Sequence, residues 1–371
     1  MPKCLVLGDA AVQDILINLS RDDIVYFRNG ISRALCDFSA TQEREYQPDP
    51  AVVVRPDGRK TLFRLFTSEQ GPGVKIIVSP NTEAPAGNEN KTTNKPKPTL
   101  HGILAVCDED GFPKGFVNAE EITAYRTAMS AIIPYSWRSN TANIVVFGAG
   151  KTALWHVRLA LALRGEEVKC VTVVNRSIDR ARSMVEQVQQ DNERIWKSPA
   201  TLTALDPGDS NYEQSLQEAV GQADVIFCTT PASSPVFPAQ YLTKDESARH
   251  CFISAIGSWQ ANMIEIDPAL VSEASQSASG IVVCDDRSEV LKSSGEIIQS
   301  GLRAEQITEL GELLHMRGSS STDFSQKMQQ SLQDGFVVYK SVGLSLTDLA
   351  AANIILPLAE KQGKGVVVPD F

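Results

Sequence analysis

The sequence predicts an α/β fold, with a doubly wound parallel sheet and a second, discontinuous α+β domain. Three observations support this prediction. The chain has 371 residues, too many for one ordinary core and enough for two domains. Between residues 143 and 284, short apolar runs alternate with helical or polar segments, as in a parallel sheet. Both ends of the chain differ in character from this middle part. We therefore expect one domain at 141–324 and a second, discontinuous domain formed by 1–140 with 325–371.

Each element of the first domain follows from a local pattern. Apolar runs predict strands at 51–54, 61–66, 74–78 and 100–106. Asp110-Gly111 is a hairpin sequence between the run that ends at Val106 and the run that begins at Phe116. Residues 81–99 are polar and have no apolar period, so we expect a surface loop there, with a lid over the site as the alternative.

The middle region reads as strand, glycine turn, helix and strand. Ile144–Phe147 predicts the first strand, and the following segment places Leu154, Val157 and Leu161 on one helical face. Gly165 ends that helix, and 171–174 is the next strand. Further strands are predicted at 225–228, 252–255 and 281–284.

The last part of the chain combines an apolar run with a long helix. The run covers 337–343, and the helix extends from about 346 to 361 before Gly363. Pro357 lies inside that helix, so we expect a kink or an early end. We expect this part to fold back onto the N-terminal domain.

Composition and charge exclude several classes of protein. The apolar fraction of 42% and charged fraction of 22% indicate a packed globular chain rather than a disordered one. A net charge of −10 argues against a nucleic-acid binder, which needs a basic surface. The seven cysteines and four histidines show no metal-ligand spacing or disulfide framework, so we expect no metal. Without a signal peptide or membrane-length apolar run, we expect a cytoplasmic protein.

The segment Gly148-Ala149-Gly150-Lys151-Thr152-Ala153 carries the Gly-x-Gly-x-x-Ala pattern between a predicted strand and a predicted helix. Glycines there let the backbone approach a pyrophosphate, and the helix N-terminus supplies N–H donors. In this strand–loop–helix–strand context the pattern predicts dinucleotide binding by a Rossmann-type domain. The alternative is a purely structural turn.

The end of the next strand indicates which dinucleotide is bound. A site that prefers NAD places an acid there for the ribose hydroxyls, whereas this chain reads Asn175-Arg176-Ser177, with Arg180 and Arg182 beyond. A guanidinium and a hydroxyl suit a 2′-phosphate. We therefore predict NADPH (NADP) as the cofactor, with a merely solvated Arg176 as the alternative.

Several segments resemble the ornithine cyclodeaminase/mu-crystallin family of NAD(P)-dependent proteins, and the resemblance covers most of the chain. The resembling segments are Gly73-Val74-Lys75, Gly102-Ile103-Leu104, Glu121 to Ala128, the glycine loop, Gly257-Ser258 through Glu265-Ile266-Asp267, and Lys340-Ser341-Val342-Gly343-Leu344. The resemblance implies a homodimer in which 1–140 with 325–371 builds the substrate-binding and dimerisation domain and 141–324 is the dinucleotide-binding domain. Substrate and nicotinamide would then meet at the interdomain cleft.

The same resemblance implies roles for individual residues. Lys75 and Arg126 match the lysine and arginine that bind a carboxylate in the family. Two cations that converge in a dry cleft are costly unless an anion joins them, which agrees with that role. Thr127 and Thr229 match positions near the cofactor, and Ser341 with Gly343 match the loop beside the nicotinamide; ordinary helix and turn chemistry is the alternative.

The chain departs from the family at two places. Cyclodeaminases have an essential aspartate two residues after the glycine that matches Gly257, and here that residue is Trp259. An indole cannot accept a proton from an amine or activate a water. Trp259 could place an aromatic face near a cationic C=N group, or simply pack as core.

The second departure is a missing arginine. A Pro-x-Arg pattern of the family reads Pro48-Asp49-Pro50 in this sequence. Arg64, within the apolar run 61–66, is a candidate replacement, because a charged residue inside a strand needs a partner. Otherwise Arg64 faces solvent, or the substrate has no carboxylate in the usual place.

These observations predict an NADPH-dependent reductase that transfers a hydride to the C=N bond of a small imine or imino acid, with Lys75 and Arg126 as the central site residues, Trp259 at the reaction centre and Arg64 assisting. One alternative is an amino-acid cyclodeaminase or amino-acid dehydrogenase, which needs a general base. Another is a non-catalytic, NADPH-dependent binder of small molecules, of the mu-crystallin type.

Overall fold

The computed structural model describes residues 3–79, 101–242, 250–318 and 326–371. The predicted loop at 81–99 lies outside these residues. Two compact units divide the chain. Unit 1 comprises Met1–Gly30, Gln42–Arg126 and Ser345–Phe371, and unit 2 comprises Ile31–Thr41 and Thr127–Leu344.

The described residues form helices and strands of ordinary length. The strands are β1 (Lys3–Leu7), β2 (Ala51–Val54), β3 (Lys60–Phe66), β4 (Gly73–Ser79), β5 (His101–Cys107), β6 (Pro113–Asn118), β7 (Asn143–Phe147), β8 (Cys170–Val174), β9 (Thr201–Leu205), β10 (Val225–Cys228), β11 (Phe252–Ala255), β12 (Ile281–Cys284), β13 (Ile307–Glu309), β14 (Val337–Lys340) and β15 (Val366–Pro369). The α-helices are α1 (Asp9–Ile17), α2 (Arg21–Ala40), α3 (Ala119–Tyr135), α4 (Lys151–Arg164), α5 (Ile178–Asp191), α6 (Tyr212–Gly221), α7 (Pro268–Gln276), α8 (Arg287–Ser293), α9 (Gly295–Ser300), α10 (Leu310–Gly318), α11 (Gln326–Asp334) and α12 (Ser345–Lys361).

Unit 1 contains a seven-stranded mixed sheet in the order β15-β1-β6-β5-β4-β3-β2. Strands β2 to β6 form an antiparallel meander, while β1 pairs parallel to β6 and antiparallel to β15. Helix α12 packs on this sheet against β3, β4, β5 and β6. Helix α12 covers one face of the sheet. Because successive side chains of a strand point to opposite faces, every second residue of these strands lies on the other face.

Unit 2 contains an eight-stranded parallel sheet in the order β13-β12-β14-β11-β10-β7-β8-β9. All four residues of β10, β11 and β14 are buried, as expected for strands covered on both faces. The chain moves outward from β7 through β8 to β9, and then continues from β10 on the other side of β7. The strand order therefore reverses between β7 and β10, which is where open α/β sheets bind ligands.

The predicted α/β fold class is confirmed. The predicted strands at 51–54, 61–66, 74–78, 144–147, 171–174, 225–228, 252–255 and 281–284 correspond to β2, β3, β4, β7, β8, β10, β11 and β12, and the Asp110-Gly111 hairpin joins β5 to β6. Strand β14, which lies in the segment that we assigned to the substrate domain, pairs between β11 and β12 in unit 2. Helix α12 continues past Pro357 to Lys361, so the expected early end is wrong. None of the described helices has the length and apolar character needed to cross a membrane.

Candidate functional site

The glycine loop between β7 and α4 has a backbone that requires glycine at its first position. Gly148 has a φ of +113°, and its N–H donates to the carbonyl oxygen of Val174 at 2.9 Å. A Cβ atom at Gly148 would lie 2.5 Å from Oγ1 of Thr229, the residue that follows β10. The hydroxyl of Thr229 in turn donates to the carbonyl of Phe147 at 2.9 Å. Gly148 and Thr229 are therefore fitted to each other at the reversal point of the sheet.

Gly150 has a different role in the same loop. It is exposed, has a φ of −100°, and precedes α4 as an N-cap without a side-chain hydrogen bond. A Cβ atom at this position would meet no atom of the described residues within 4 Å. The space in front of the α4 N-terminus is therefore open, and Lys151 and Thr152 form the first turn beside it. This arrangement fits the pyrophosphate of a dinucleotide, which would accept N–H groups from the helix N-terminus.

The turn after β8 places the predicted phosphate-binding residues next to this loop. Ser177 caps α5 by accepting from the backbone N–H of Arg180, and the Asn175 amide donates to the carbonyl of Ser177 at 2.9 Å. Arg176 is exposed, which leaves its guanidinium accessible to a ligand. Arg180 reaches back to the carbonyl of Ala149 at 3.4 Å.

A cavity of about 410 Å³ lies between the starts of α4 and α5. Its lining includes Gly150, Lys151 and Arg180. Two cations at the mouth of the glycine loop suit an anionic cofactor. Arg182, by contrast, is paired with Asp206 at 3.0 Å.

Unit 1 brings together the three cations predicted to bind substrate. Lys75 on β4 and Arg64 on β3 are directly opposite each other in the antiparallel register, so their side chains share one face of the sheet. Lys75 is 1% exposed, and Arg126 on α3 is 4% exposed. Arg64 is half-buried. The three cations therefore lie close together in unit 1.

A residue that the sequence analysis did not identify joins this cluster. Asp348 of α12 is completely buried, and its Oδ2 atom lies 2.6 Å from Nζ of Lys75. Its Oδ1 atom accepts from Nε of Arg126 at 2.8 Å. A single carboxylate therefore contacts two cations that come from different elements of unit 1.

Burial and charge shift the acidities in this cluster. Burial, followed by the charge of Arg126, lowers the pKa of Lys75 to about 7, although Asp348 acts in the opposite direction. Burial works to raise the pKa of Asp348, but the charges of Arg126 and Lys75 outweigh it and hold that pKa below its ordinary value. Burial and the two neighbouring arginines therefore favour the neutral amine of Lys75, whereas Asp348 favours its ammonium form.

The loop after β11 carries Trp259 and is held by buried acids. Both oxygens of Glu265 accept backbone N–H groups, from Gly257 at 2.6 Å, from Ser258 at 3.1 Å and from Thr230 at 2.5 Å. Burial raises the pKa of Glu265 to about 7, against the opposing charge of Lys340. Trp259 itself is half-buried and lies outside regular secondary structure.

The buried ion pair of Lys340 and Glu296 contacts the same loop at Ser258. Nζ of Lys340, at the end of β14, donates to the carbonyl and the hydroxyl of Ser258 at 2.5 Å each and to Glu296 at 2.7 Å. The Ser258 hydroxyl also donates to Glu296 at 2.6 Å. The conformation of this loop is therefore fixed by residues 257 and 258 and by their acid partners.

The loop that follows β14 has its own acid. Asp285, after β12, accepts from the Ser341 hydroxyl at 2.6 Å and from the backbone N–H of Gly343 at 2.7 Å. Gly343 has a φ of +91°, which favours glycine. The hydroxyl of Ser341 is thus bonded to Asp285. Thr127, another predicted cofactor residue, is half-buried on α3 directly after Arg126.

The structure therefore groups the predicted residues into two sets. Arg64, Lys75 and Arg126 form a cluster in unit 1, while the glycine loop, the turn at 175–180, Thr229 and the loops at 257–259 and 341–343 belong to unit 2. Sequence reasoning missed Asp348, Asp285 and Glu265. For Asp348 a sequence feature existed, since it is a single acid within the apolar run of 346–356.

Comparison with known proteins gives a consistent result. The model of the ornithine cyclodeaminase/mu-crystallin family matches residues 37–363. Delta(1)-pyrroline-2-carboxylate reductase of Bacillus cereus is 26% identical and the match covers 90% of this chain and 91% of that protein. Ketimine reductase mu-crystallin of Macropus fuliginosus is 25% identical, over 88% of this chain and 89% of that protein.

Solved structures share the fold. Thermococcus litoralis Delta(1)-pyrroline-2-carboxylate reductase, in complex with NADH and L-proline, has a TM-score of 0.72 and 18% identity, and covers 98% of this chain and 99% of its own. An archaeal alanine dehydrogenase dimer with bound NAD has a TM-score of 0.70 and 18% identity, with 100% of both chains covered.

Proposed function

Because the chain belongs to the ornithine cyclodeaminase/mu-crystallin family, we propose that it is an NAD(P)H-dependent oxidoreductase acting on carbon–nitrogen bonds, specifically an NADPH-dependent reductase of a small imino acid. The observation that carries this proposal is the buried cluster of Lys75 and Arg126 on Asp348. A positive, desolvated site of this kind suits the carboxylate of an imino acid. The relatives named above as reductases of pyrroline carboxylates and ketimines support the same class of substrate.

Each group of residues has a distinct part in the proposed reaction. Lys75 and Arg126 bind the substrate carboxylate, and Arg64 adds positive charge from the neighbouring strand. NADPH supplies the hydride. The iminium is already protonated and electrophilic, so the protein needs to hold and orient it rather than to provide a strong base. Trp259, which stands where the cyclodeaminases have an acid, is compatible with that requirement, because an indole can interact with a cation through its aromatic face.

The preference for NADPH over NADH rests on the turn after β8. Arg176 and Ser177 stand where an acid would accept the ribose hydroxyls, and Arg180 lies beside the glycine loop. The 2′-phosphate of NADPH would meet a guanidinium and a hydroxyl there, whereas NADH would gain neither contact.

We also propose that the chain forms a homodimer through the outer face of the unit 1 sheet. The residues on the face opposite Lys75 include several exposed aliphatic side chains: Leu65, Val78, Ile103, Val6 and Val366. A contiguous apolar sheet face of this kind is typical of an interface. The mass in solution, measured by light scattering, tests this proposal; a monomer at micromolar concentration contradicts it.

The central experiment measures cofactor oxidation with matched imines. We expect NADPH to be oxidised with the five- and six-membered cyclic imino acids, Δ1-pyrroline-2-carboxylate and Δ1-piperideine-2-carboxylate. The same rings without the carboxylate should give kcat/KM values lower by about a hundredfold, because a hydrogen-bonded buried charge pair contributes about 3 kcal/mol. NADH in place of NADPH should raise KM for the cofactor.

Two other outcomes would contradict the proposal, and each would indicate a different function. Release of ammonia from ornithine with NADP⁺ would indicate a cyclodeaminase, which the absence of an acid at Trp259 argues against. NADPH binding without oxidation by any carboxylated imine would indicate a binding protein rather than an enzyme.

A further inference from the structure

Asp348 is a completely buried carboxylate on an otherwise apolar part of α12. Its neighbours along the helix, Leu346, Leu349, Ala351 and Ala352, are also buried. A buried carboxylate is costly unless cations or hydrogen-bond donors surround it. The partners of Asp348 therefore define its role in the molecule.

The two oxygens of Asp348 are divided between two cations. One oxygen contacts Lys75 of β4, and the other accepts from Arg126 of α3. The bond to Arg126 is donated by Nε of its guanidinium. The ammonium of Lys75 and the guanidinium of Arg126 are therefore held next to each other by one carboxylate.

We propose that Asp348 is a positioning residue, which holds the Lys75 ammonium and the Arg126 guanidinium side by side so that they form one preformed site for the carboxylate of an α-imino acid. This inference rests on the proposed function, because it takes Lys75 and Arg126 as the residues that bind substrate. It assigns to α12 a part in substrate recognition that the sequence analysis did not consider.

The charges around Lys75 explain why an acid is needed in a site for anions. Arg64 from β3 and Arg126 from α3 act on Lys75 as like charges, and Asp348 from α12 is the opposite charge; the residue paired with Lys75 on β5 is the apolar Leu104. Burial and the two arginines lower the pKa of Lys75 to about 7, and Asp348 opposes that shift. Without Asp348, Lys75 would lose its proton at a lower pH, and the site would lose one of its cations.

Asp348 also has an effect on substrate binding that opposes its positioning role. The negative charge of Asp348 also repels a substrate carboxylate, so a purely electrostatic view predicts tighter binding after its removal. The positioning role predicts weaker binding, and most strongly at alkaline pH, where Lys75 is neutral. The sign and the pH dependence of a single variant therefore separate the two views.

The test uses Asp348→Asn in the full-length protein with NADP⁺ bound. The probe is pyrrole-2-carboxylate, a planar ring carboxylate without a reducible C=N bond, and its affinity is measured by calorimetry between pH 5.5 and 8. We expect binding at pH 8 to be weaker than that of the unmodified protein by at least about tenfold, since one unit of pKa changes the protonated fraction tenfold. The difference should shrink toward pH 5.5, as Lys75 becomes protonated in both proteins. A loss of about threefold should remain there, because one carboxylate no longer holds the two cations.

Asp191→Asn is the matched control. Asp191 on α5 forms an ion pair, at 2.6 Å, with the buried Arg158 of α4, and both residues belong to unit 2 and are not predicted site residues. This variant should lower the Tm and leave the affinity for the ring carboxylate unchanged at every pH. If Asp348→Asn behaves in the same way, or binds the probe as tightly as the unmodified protein or more tightly at pH 8, Asp348 has no positioning role.

A second pair of variants covers the case in which Asp348→Asn does not fold. Lys75→Gln is compared with Lys75→Gln/Asp348→Asn, so that no ammonium is left buried without its acid. The double variant should bind the probe at least about threefold more weakly, because Arg126 loses a hydrogen bond that orients it. Equal or tighter binding by the double variant would overturn the inference.

The same measurements distinguish this inference from the proposed function. If the unmodified protein binds pyrrole-2-carboxylate but reduces no imine, the reductase proposal fails, and the comparison of variants still decides the role of Asp348. If it reduces imino acids while Asp348→Asn keeps the affinity for the probe, only the role of Asp348 fails. If it does not bind the probe at all, both fail.

Discussion

The two glycines of the loop at 148–150 provide a way to separate cofactor binding from folding. Gly148 has a positive φ and a Cβ there would clash with Thr229, whereas Gly150 has an ordinary φ and open space in front of it. Gly148→Ala should therefore damage the fold. Gly150→Ala should instead place a methyl group where the pyrophosphate has to approach, and leave the fold intact.

The expected magnitudes differ clearly. Alanine at the positive φ of Gly148 costs about 1–3 kcal/mol, which lowers the Tm of a domain of this size by about 2–4 °C per kcal/mol. At Gly150, alanine is a less favourable N-cap, which lowers the free energy of unfolding by up to about 1 kcal/mol. Alanine also restricts the unfolded chain, which raises the free energy of unfolding by about 0.4–1 kcal/mol, so the net change is small. Loss of one charge-assisted hydrogen bond to the pyrophosphate is about 1.5–3 kcal/mol, or about 10- to 150-fold in the Kd for NADPH.

Thermal unfolding without cofactor and titration of NADPH fluorescence measure the two effects separately. Gly150→Ala should keep the Tm within about 2 °C and lose affinity for NADPH. The reasoning is refuted if Gly150→Ala binds NADPH as the unmodified protein does, or if its Tm falls as far as that of Gly148→Ala.

Four further predictions follow from the site. Lys75→Ala or Arg126→Ala should raise KM for a carboxylated imine by at least about tenfold with the Kd for NADPH unchanged, as steady-state kinetics and fluorescence titration can measure; full activity in both variants contradicts the proposed site. Arg176→Ala should weaken NADPH binding by about 10- to 100-fold and leave NADH binding within about twofold, and an equal loss for both cofactors would remove the argument for the 2′-phosphate. The pKa of Lys75 is lowered to about 7, and a bound carboxylate needs Lys75 in its protonated form. The affinity for pyrrole-2-carboxylate should therefore fall about tenfold per pH unit above a pH of about 7. An affinity that stays constant in calorimetry from pH 6 to 9 would contradict this. Burial raises the pKa of Glu265 to about 7, so protonation of Glu265 stabilises the folded state. This contribution is complete below the ordinary glutamate pKa and is lost as the pH rises through about 7. Glu265→Gln should therefore reduce the fall in the free energy of urea unfolding between pH 5 and 8, and an unchanged slope would count against this reasoning.

Local patterns were sufficient to predict most strands and the glycine loop. Strands such as β7, β8, β10 and β11 are apolar runs bounded by polar segments, and their type depends little on distant residues. The glycine loop was also predictable, because a turn between a strand and a helix imposes its residue types locally. The cross-strand position of Arg64 opposite Lys75, in contrast, depends on the register of β3 against β4, which the single strands do not specify.

Long-range pairing explains what the sequence analysis missed. Lys75 and Arg126 were interpreted as two cations that await an anion from the substrate, but Asp348 supplies one from a helix more than two hundred residues away in sequence. Strand β14 was likewise assigned to the substrate domain, because the last part of the chain differs in character from the middle part, although its continuous burial is that of a central parallel strand. In both cases the partner is determined by the tertiary fold, and no local pattern encodes it.

The loop that carries Trp259 is held in place by bonds that do not involve the Trp259 side chain. Glu265 binds the backbone of residues 257 and 258, and Lys340 binds the carbonyl and hydroxyl of Ser258. These bonds use no atom of the side chain at position 259. The loop conformation is therefore maintained by buried acids and an ion pair that do not depend on which residue occupies that position. On the proposed function, an indole in place of an acid at 259 suits a reaction that needs only an oriented iminium, and it leaves the bonds that hold residues 257 and 258 unchanged.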